Sequence, residues 1–367
     1  MQVDLVITEL DVGGAERTLT RLASGLQACG DEVRVFSLGA LPSPGFDSLV
    51  NELRGDGIEI SSGEGTGMVN LAAVYSKLRR WLKQRPAAVR QSFLFHANVL
   101  TRHATPRNCR GSWIAGVRVA DPNRFRITLE GRSLRHADHV VCVSSAVESF
   151  ARQRYRIPQN RLAVIGNAVE TERFANAVPF DWRSLDWPAD ANVVLFIGRL
   201  HPQKNIELLQ RTLDQFAAQG SGRKLVIVGR GPLASDLREW AARVPGDRVR
   251  VLDWRPDVAS LIAACRVVVL PSLYEGMPNV VLEAMAGGKP VVCSRVEGSR
   301  ELIGDDAEQG FDLERSDQFA VKVNRFLDDA DYAAQIGMAN QRRMMEEFSV
   351  QRMVRAYREL YMKLNSL

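Results

Sequence analysis

The sequence predicts two α/β domains, each built on a doubly wound parallel sheet, that face each other across a cleft. Short apolar runs of four to seven residues alternate with helix-like stretches, a pattern typical of βαβ units whose sheets are covered on both faces. The length of 367 residues corresponds to about two domains. An irregular stretch with two prolines and two tryptophans, residues 175–191, separates two strand–helix series.

The elements follow from these patterns in chain order. The predicted strands of the first half are 3–8, 32–37, 88–94, 114–118, 139–143 and 162–165, and those of the second half are 193–197, 224–228, 249–252, 267–270 and 290–293. Helical spacing is found in 15–28, 71–83, 146–154, 207–218, 233–243 and 258–264. We therefore expect an N-terminal domain over residues 1–170 and a C-terminal domain over 171–347.

Composition excludes several classes of protein. The chain is 46% hydrophobic and 25% charged, which is ordinary for a globular protein and excludes a disordered chain or a fibre. No apolar run approaches the roughly 20 residues of a spanning helix, and the first residues resemble a strand rather than a signal peptide. The five cysteines include no CxxC pair, which argues against a zinc site. These observations indicate the cytoplasm.

Positive charge is concentrated in one part of the chain. The net charge is only +5, but residues 77–135 contain fourteen Lys and Arg against two acidic residues. Such an excess indicates an anionic partner, namely phosphates, a membrane surface or a nucleic acid. A plain solvated basic face is the competing interpretation.

Two cations follow the first strand of the second half. The strand over residues 193–197 is succeeded by Gly198, which permits close backbone approach, and then by Arg199 and Lys204. A guanidinium fork and an ammonium group at a strand's carboxyl end are able to bind a diphosphate from two sides. Two exposed cations before a helix are the alternative.

Two carboxylates accompany a predicted helix start further along. The strand over 267–270 leads to a loop, and Pro278 is a natural first helical residue. The helix start offers free amides to an anion. Glu275 precedes this helix and Glu283 lies inside it, and carboxylates accept hydrogen bonds from sugar hydroxyls. Earlier in the chain, Gly13 and Gly14 connect strand 3–8 to its helix and would admit a ligand against the backbone.

Several motifs of other enzymes are missing from the sequence. There is no GxxxxGK[ST] loop, and no GxGxxG follows a strand, which argues against a P-loop NTPase and a dehydrogenase. The DxD formed by Asp329 and Asp331 lies in a polar stretch without a neighbouring strand end, so it is interpreted as plain surface.

Taken together, the motifs resemble the retaining nucleotide-sugar glycosyltransferases of family GT4, which have the GT-B fold. The matching segments are residues 13–17, 91–98, 196–205, 228–232 and 271–286, the last with the family's E-x7-E pattern at Glu275 and Glu283. Residues 348–361 resemble the family's terminal helix, so a C-terminal helix over 348–367 is expected to pack back on the N-terminal domain.

The resemblance implies roles for individual residues. Arg199 and Lys204 would hold the donor diphosphate, Glu275 would contact the sugar, and His96 would lie near it. Glu283 would bind the ribose. The remaining donor-binding residues implied are Gly14, Gly198, Gly276, Met277, Pro278, Asn279 and Arg255. The family usually needs no metal, so no cofactor is expected beyond the nucleotide-sugar substrate. Asp253 stands where the family often has glycine, and residues 296–301 replace a commoner loop.

The resemblance implies a hexosyltransferase acting with retention on a UDP-sugar or a GDP-sugar, with front-face displacement favoured over a covalent intermediate. A nucleotide-sugar 2-epimerase of the same fold and a nucleic-acid-binding module are the alternatives, and no nucleic acid is expected as partner. We expect a glycan or lipid-linked acceptor, with cell-surface polysaccharide synthesis as the process. Outward-pointing cations would bind an anionic membrane at its cytoplasmic face: Lys77, Arg80, Lys83, Arg107 and Arg110. A soluble acceptor is the competing possibility.

Overall fold

The computed structural model describes residues 1–65, 70–120, 123–218, 220–304, 306 and 308–365. Its contacts divide the chain into two compact units. Unit 1 contains Met1–Ala168 and Val350–Leu367, of which residues 366 and 367 lie outside the described residues, and unit 2 contains Val169–Ser349. The divisions at 168/169 and 349/350 lie within two residues of the predicted bounds.

Unit 1 contains a seven-stranded parallel sheet in the order β3-β2-β1-β4-β5-β6-β7. Its strands are β1 (Gln2–Ile7), β2 (Glu32–Gly39), β3 (Glu59–Gly65), β4 (Val89–Phe93), β5 (Trp113–Val117), β6 (His139–Cys142) and β7 (Leu162–Val164). Its helices are α1 (Gly14–Ala28), α2 (Ser48–Gly55), α3 (Leu71–Gln84), α4 (Phe95–Ala104), α5 (Arg124–Leu134) and α6 (Ser145–Phe150), which a π-helical turn, Ala151–Tyr155, continues.

Unit 2 contains a six-stranded parallel sheet in the order β10-β9-β8-β11-β12-β13. Its helices are α7 (Thr171–Ala175), α8 (Glu207–Phe216), α9 (Ala234–Arg243), α10 (Val258–Ala264), α11 (Asn279–Ala286), α12 (Glu297–Ile303), α13 (Asp317–Asp328) and α14 (Ala330–Glu347). Its strands are β8 (Asn192–Ile197), β9 (Arg223–Val228), β10 (Val249–Leu252), β11 (Val267–Leu270), β12 (Val291–Ser294) and β13 (Gly310–Phe311).

The predicted fold class, two Rossmann-like domains with parallel sheets, is confirmed. Two strands escape the sequence patterns for different reasons. β3 is an edge strand with the polar, glycine-containing sequence EISSGEG, and β13 has only two residues. Neither presents the apolar run by which a buried strand is recognised.

The last helix, α15 (Val350–Asn365), belongs to unit 1 although it follows unit 2 in the chain. Its Tyr357 and Tyr361 are fully buried in the core that β1, β2, β4 and α1 share. Each such side chain contributes about 1.5–3 kcal/mol through burial. Gly25 of α1 permits this close packing, since a Cβ there would lie 2.3 Å from Val354 Cγ2.

Among the described residues, every helix is too short or too polar to cross a bilayer.

Candidate active site

The sheet of unit 2 changes direction between β8 and β11. From β8 the chain builds outward through β9 to β10, and from β11 it builds outward through β12 to β13. Loops that leave two such central strands diverge above the sheet, and the crevice between them is the usual ligand position in this architecture. The loops concerned are 198–206 and 271–278, which contain most of the predicted donor site.

Two hydrogen bonds join these loops, one from a side chain and one between backbone groups. Gln203 Nε2 donates a hydrogen bond to the Tyr274 carbonyl at 2.8 Å, and Leu273 N donates to the Gln203 carbonyl at 2.8 Å. The loops are therefore fixed to each other near their tips. This linkage places Lys204 and Glu275, which are 71 residues apart in sequence, in direct contact.

Glu275 is the best-connected side chain of the crevice. Its carboxylate is buried and forms an ion pair with Lys204, whose side chain is 15% exposed. Ser272 Oγ donates to the same oxygen, Oε1, at 2.6 Å. The backbone N–H of Glu275 donates to the carboxylate of Glu297 at 3.1 Å. Glu275 is thus a fixed hydrogen-bond acceptor beside a cation.

Arg199 is a second cation in the loop that contains Lys204. It follows β8 after Gly198 and is exposed. The backbone beneath it is held tightly, because Gly229 and Gly231, at φ of about +150°, allow the next loop to approach. A Cβ on Gly229 would lie 1.9 Å from the Gly198 carbonyl, and one on Gly231 would lie 2.3 Å from the Leu200 carbonyl. A Cβ on Gly198 would make ordinary van der Waals contacts, with Phe196 Cζ at 3.4 Å and Lys204 Cε at 3.7 Å.

The start of α11 provides the backbone part of the site. Gly276, Met277 and Pro278 are buried, Asn279 is half-buried, and Pro278 is the N-cap residue. Glu283 is buried in the second turn of the helix. Gly298 of α12 packs against this loop so closely that a Cβ there would lie 1.8 Å from the Gly276 carbonyl.

Arg255 has partners of its own outside this group. Its guanidinium donates to both carboxylate oxygens of Asp257, at 2.8 and 2.7 Å, and lies over the Phe180 ring. The pKa of Asp257 is lowered by this hydrogen bond. In the preceding turn Asp253 lies between Arg230, at 3.5 Å, and Arg238, at 3.2 Å. The structure gives Arg255 no contact with Arg199, Lys204 or Glu275.

Unit 1 has a switch point of its own between β1 and β4. Gly13 and Gly14 follow β1 and begin α1. The absence of a side chain at Gly13 makes room for a buried carboxylate, since a Cβ there would lie 2.2 Å from Glu16 Oε2. Burial, mainly, raises the pKa of Glu16 to about 7, and Glu9 and Asp11 add to the rise while Arg118 opposes it. Glu16 is not among the predicted site residues, because its burial is not visible in the sequence of residues 13–17.

Glu16→Gln is expected to make stability less dependent on pH. The folded pKa of about 7 lies above the ordinary 4.5, so the folded state binds the extra proton and loses stability as pH rises between those values. The variant lacks this loss, which corresponds to at most about 3 kcal/mol. Urea unfolding should therefore give similar free energies of unfolding for wild type and variant at pH 5. At pH 8 the free energy of unfolding should be higher for the variant than for wild type. A difference that is the same at both pH values would contradict the burial of an ionisable Glu16.

His96 lies just beyond the strand that the sequence predicts over residues 88–94. That strand is β4, which ends at Phe93, and His96 lies in the first turn of α4 rather than at a strand end. Leu94, at φ +74° and ψ 161°, turns the chain there. His96 is exposed on this helix. Desolvation and then the Arg126 guanidinium lower the pKa of its imidazole.

The predicted basic face is divided by the structure. Lys77 forms an ion pair with Glu64, whereas Arg80 is exposed. Lys83, Arg107 and Arg110 are exposed but precede β4 and β5, with Arg110 N bonded to the Pro86 carbonyl. They therefore lie at the amino ends of the strands, the end of the sheet opposite to Gly14 and His96. Within the same charged segment, Arg90 and Arg118 are buried and contribute nothing to the surface.

Asp329 has a structural role within the predicted surface DxD. It is the N-cap of α14, and its Oδ1 accepts from Tyr332 N at 2.9 Å. No cluster of three or more His, Cys, Asp or Glu side chains suited to a metal ion occurs in the part of the chain that the structure describes.

Comparison with known proteins identifies relatives for both units. The family model described as glycosyl transferases group 1 matches residues 191–329, and that of glycosyltransferase family 4 matches residues 12–173. The chain is 30% identical over 201 residues to an Escherichia coli protein, UDP-Gal:alpha-D-GlcNAc-diphosphoundecaprenol alpha-1,3-galactosyltransferase. It is 29% identical over 233 residues to the lipopolysaccharide core biosynthesis glycosyltransferase LpsE of Rhizobium meliloti.

These matches cover 52% and 62% of this chain, and they span 51% and 64% of those two relatives. The fold is similar over the full length to a solved structure, HepE of Anabaena in complex with UDP and glucose. That likeness has a TM-score of 0.86, with 20% identity, over 99% of this chain and all of the other.

Proposed function

We propose that the chain moves a hexose-type sugar from a nucleotide diphosphate sugar to a hydroxyl group of a glycan or lipid-linked acceptor. It belongs to the glycosyltransferases that the family models of glycosyltransferase family 4 and of glycosyl transferases group 1 describe. The observation that carries the proposal is the contact between Lys204 and the buried Glu275 at the β8/β11 switch point, with Arg199 exposed in the same loop as Lys204. Two cations and a fixed carboxylate are what a sugar diphosphate requires.

The chemistry follows from these three side chains. Arg199 and Lys204 bind the donor diphosphate and stabilise the negative charge that grows on it as the glycosidic bond breaks, which is the largest catalytic effect expected. Glu275 accepts hydrogen bonds from the sugar hydroxyls and holds the ring in place. Glu283 binds the ribose, and the backbone at Gly276–Asn279 supports the phosphates and the sugar. Gly14 and His96 act from unit 1, on the phosphate side and beside the sugar.

The transfer proceeds with retention of anomeric configuration in this proposal. Glu275 already accepts hydrogen bonds from Ser272 and Lys204 through one oxygen, which suits an orienting group better than a nucleophile. Front-face displacement then needs no covalent intermediate: the acceptor hydroxyl attacks the anomeric carbon, the bond to the diphosphate oxygen breaks, and the departing phosphate takes the hydroxyl proton.

A UDP-sugar is the favoured donor, with GDP-mannose as the second candidate. The name of the Escherichia coli relative specifies a UDP-galactose donor and a diphosphoundecaprenol acceptor, and HepE was solved with UDP. Both support a uridine nucleotide and a lipid-linked glycan, and a role in cell-surface polysaccharide synthesis accompanies this proposal.

A thermal-shift panel of UDP- and GDP-sugars tests the donor. One nucleotide sugar should raise the melting temperature, because it binds the folded state alone. Release of the nucleoside diphosphate should then depend on added acceptor lipid. If no nucleotide sugar shifts the melting temperature, the donor assignment fails. Conversion of the donor to its 2-epimer without acceptor would instead identify an epimerase.

Activity is expected to persist in EDTA. Arg199 and Lys204 supply the positive charge that a divalent ion would otherwise bring to the diphosphate. Initial rates with and without EDTA should agree within about twofold, a margin well below the effect of losing one charge contact. Complete loss of transfer that added Mg²⁺ or Mn²⁺ restores would show that the two cations are insufficient.

The enzyme in this proposal is cytoplasmic and acts peripherally at the inner face of the membrane, where a lipid-linked acceptor is anchored. Arg124 and Arg126, exposed at the start of α5 after β5, support the membrane part, since each such cation contributes on the order of 1 kcal/mol near an anionic surface. Sedimentation with neutral and anionic vesicles at low and high salt tests it. Equal partitioning onto both, or none, would remove the membrane while leaving sugar transfer in place.

A further inference from the structure

A cavity of about 440 Å³ opens on unit 1, apart from the residues assigned so far. Its lining comes from one side of α5 and from the end of the π-helical turn: Arg124, Ile127, Thr128, Gln153, Arg154 and Arg156. Half of the lining residues are arginines and none is acidic. The cavity has the size and polarity for a phosphoryl group with part of its substituent.

Among the described residues, the three arginines have no acidic ion-pair partner. Arg124, Arg154 and Arg156 are exposed, and none of them makes one of the ion pairs found between described residues. Three like charges around one opening repel each other, and an anion bound between them relieves that repulsion. Guanidinium groups bind phosphoryl oxygens through two parallel hydrogen bonds.

The frame beneath the arginines is rigid. Tyr155, between Arg154 and Arg156 in sequence, is buried, and its hydroxyl donates to Glu130 Oε2 of α5 at 2.7 Å. Asn98 of α4 donates to the other oxygen of Glu130 at 2.8 Å. Arg156 itself has φ +57°, a left-handed conformation in which glycine is the least strained residue. Arg156 thus places a guanidinium at a backbone position whose conformation favours glycine.

An exposed aromatic residue follows Arg124 of the cavity in the sequence. Phe125 is 74% exposed and lies between Arg124 and Arg126 at the start of α5. Arg126 lies over the Phe95 ring, 5.3 Å from its centroid, and Phe95 precedes His96. Both α4 and α5 begin at the carboxyl ends of strands, so Arg124 of the cavity lies at the same end of the sheet as His96, on the predicted acceptor side. An exposed ring among cations is typical of a surface that enters a lipid headgroup layer.

From this combination we propose that the cavity binds the phosphoryl group of a lipid-linked acceptor, a phosphate or diphosphate ester on a hydrocarbon chain anchored in a bilayer. Arg124, Arg154 and Arg156 bind the phosphoryl oxygens, and Phe125 enters the apolar boundary of the membrane. The inference rests on the proposed function and specifies its acceptor. The donor diphosphate has separate partners, Arg199 and Lys204, in unit 2.

The test is sedimentation of the full chain with phosphatidylcholine vesicles, with and without phosphatidic acid, whose headgroup is a phosphate monoester. The triple variant R124Q/R154Q/R156Q is compared with the matched variant R54Q/R132Q/R355Q, which removes three exposed charges of unit 1 outside the cavity. We expect wild type and matched variant to bind phosphatidic acid vesicles alike, and the cavity variant to bind at least tenfold more weakly. Phe125→Ser should weaken binding to the vesicles, and the binding that remains should still fall as salt is added.

Other outcomes overturn the inference. Equal binding by all three proteins, or equal loss in both triple variants, would mean unspecific attraction. Stabilisation by inorganic diphosphate that is seen in wild type and lost in the cavity variant, without vesicle binding, would indicate a soluble phosphorylated acceptor instead. The melting-temperature shift with nucleotide sugar verifies that each variant is folded. It also separates the two proposals, because the cavity variant should retain that shift, and loss of the shift in wild type would count against the donor site alone.

Discussion

Replacing Lys204 with alanine is expected to lower kcat by about 100-fold or more, the size of effect found when one preorganised charge contact to a transition state is lost. The fold should persist, because Lys204 lies in a loop and its side chain has one partner, Glu275. The variant loses the cation that stabilises the leaving diphosphate. It also leaves Glu275 buried without its counter-ion, which disfavours the charged carboxylate.

The contact between Lys204 and Glu275 allows the two residues to be tested together. Because Lys204 and Glu275 are in contact, the double variant K204A/E275A should lose less activity than the two single variants multiplied together. Arg199→Ala should lower kcat to a similar extent while leaving Glu275 paired. Lys224→Ala is the matched control, since Lys224 lies at the opposite end of a strand in unit 2. Near-normal turnover in K204A with the true substrates would refute the diphosphate assignment.

The site illustrates what a sequence establishes and what only packing decides. The runs that became β8 and β11 are apolar and buried, so their ends, and the residues after them, were predictable. Contact between Lys204 and Glu275 was implied by no local pattern. It depends on β8 and β11 being neighbours in the sheet and on the Gln203–Tyr274 bond that joins their loops.

The features of unit 1 were harder to predict for the same reason. His96 lies in a helix because Leu94 takes a left-handed conformation, and a leucine gives no sign of that in sequence. Glu16 is ordinary as a residue type, and it is mainly its burial beside Gly13 that raises its pKa. The three arginines of the cavity come from two segments, which the Tyr155–Glu130 bond brings together.

Gly298→Ala is expected to lower kcat/KM by about 10- to 100-fold, as displacement of catalytic groups by about 1 Å can. A Cβ at this position would lie 1.8 Å from the Gly276 carbonyl and 2.7 Å from Met277 Cα. Those atoms belong to buried backbone, so the loop that holds Glu275 and the start of α11 must move as a whole. Gly55→Ala is the matched control, because Gly55 ends a helix of unit 1 with nothing within 4 Å of its Cβ position.

The measurements are kcat/KM and the donor-induced shift in melting temperature, for both glycine variants and wild type. Since the displaced loop contacts the donor in the proposed site, Gly298→Ala should reduce both quantities, while its melting temperature without donor falls only moderately. Gly55→Ala should match wild type in all three. If Gly298→Ala retained full donor affinity and turnover, α12 would not be the element that fixes this loop, and Glu275 would owe its position to Lys204 and Ser272 alone.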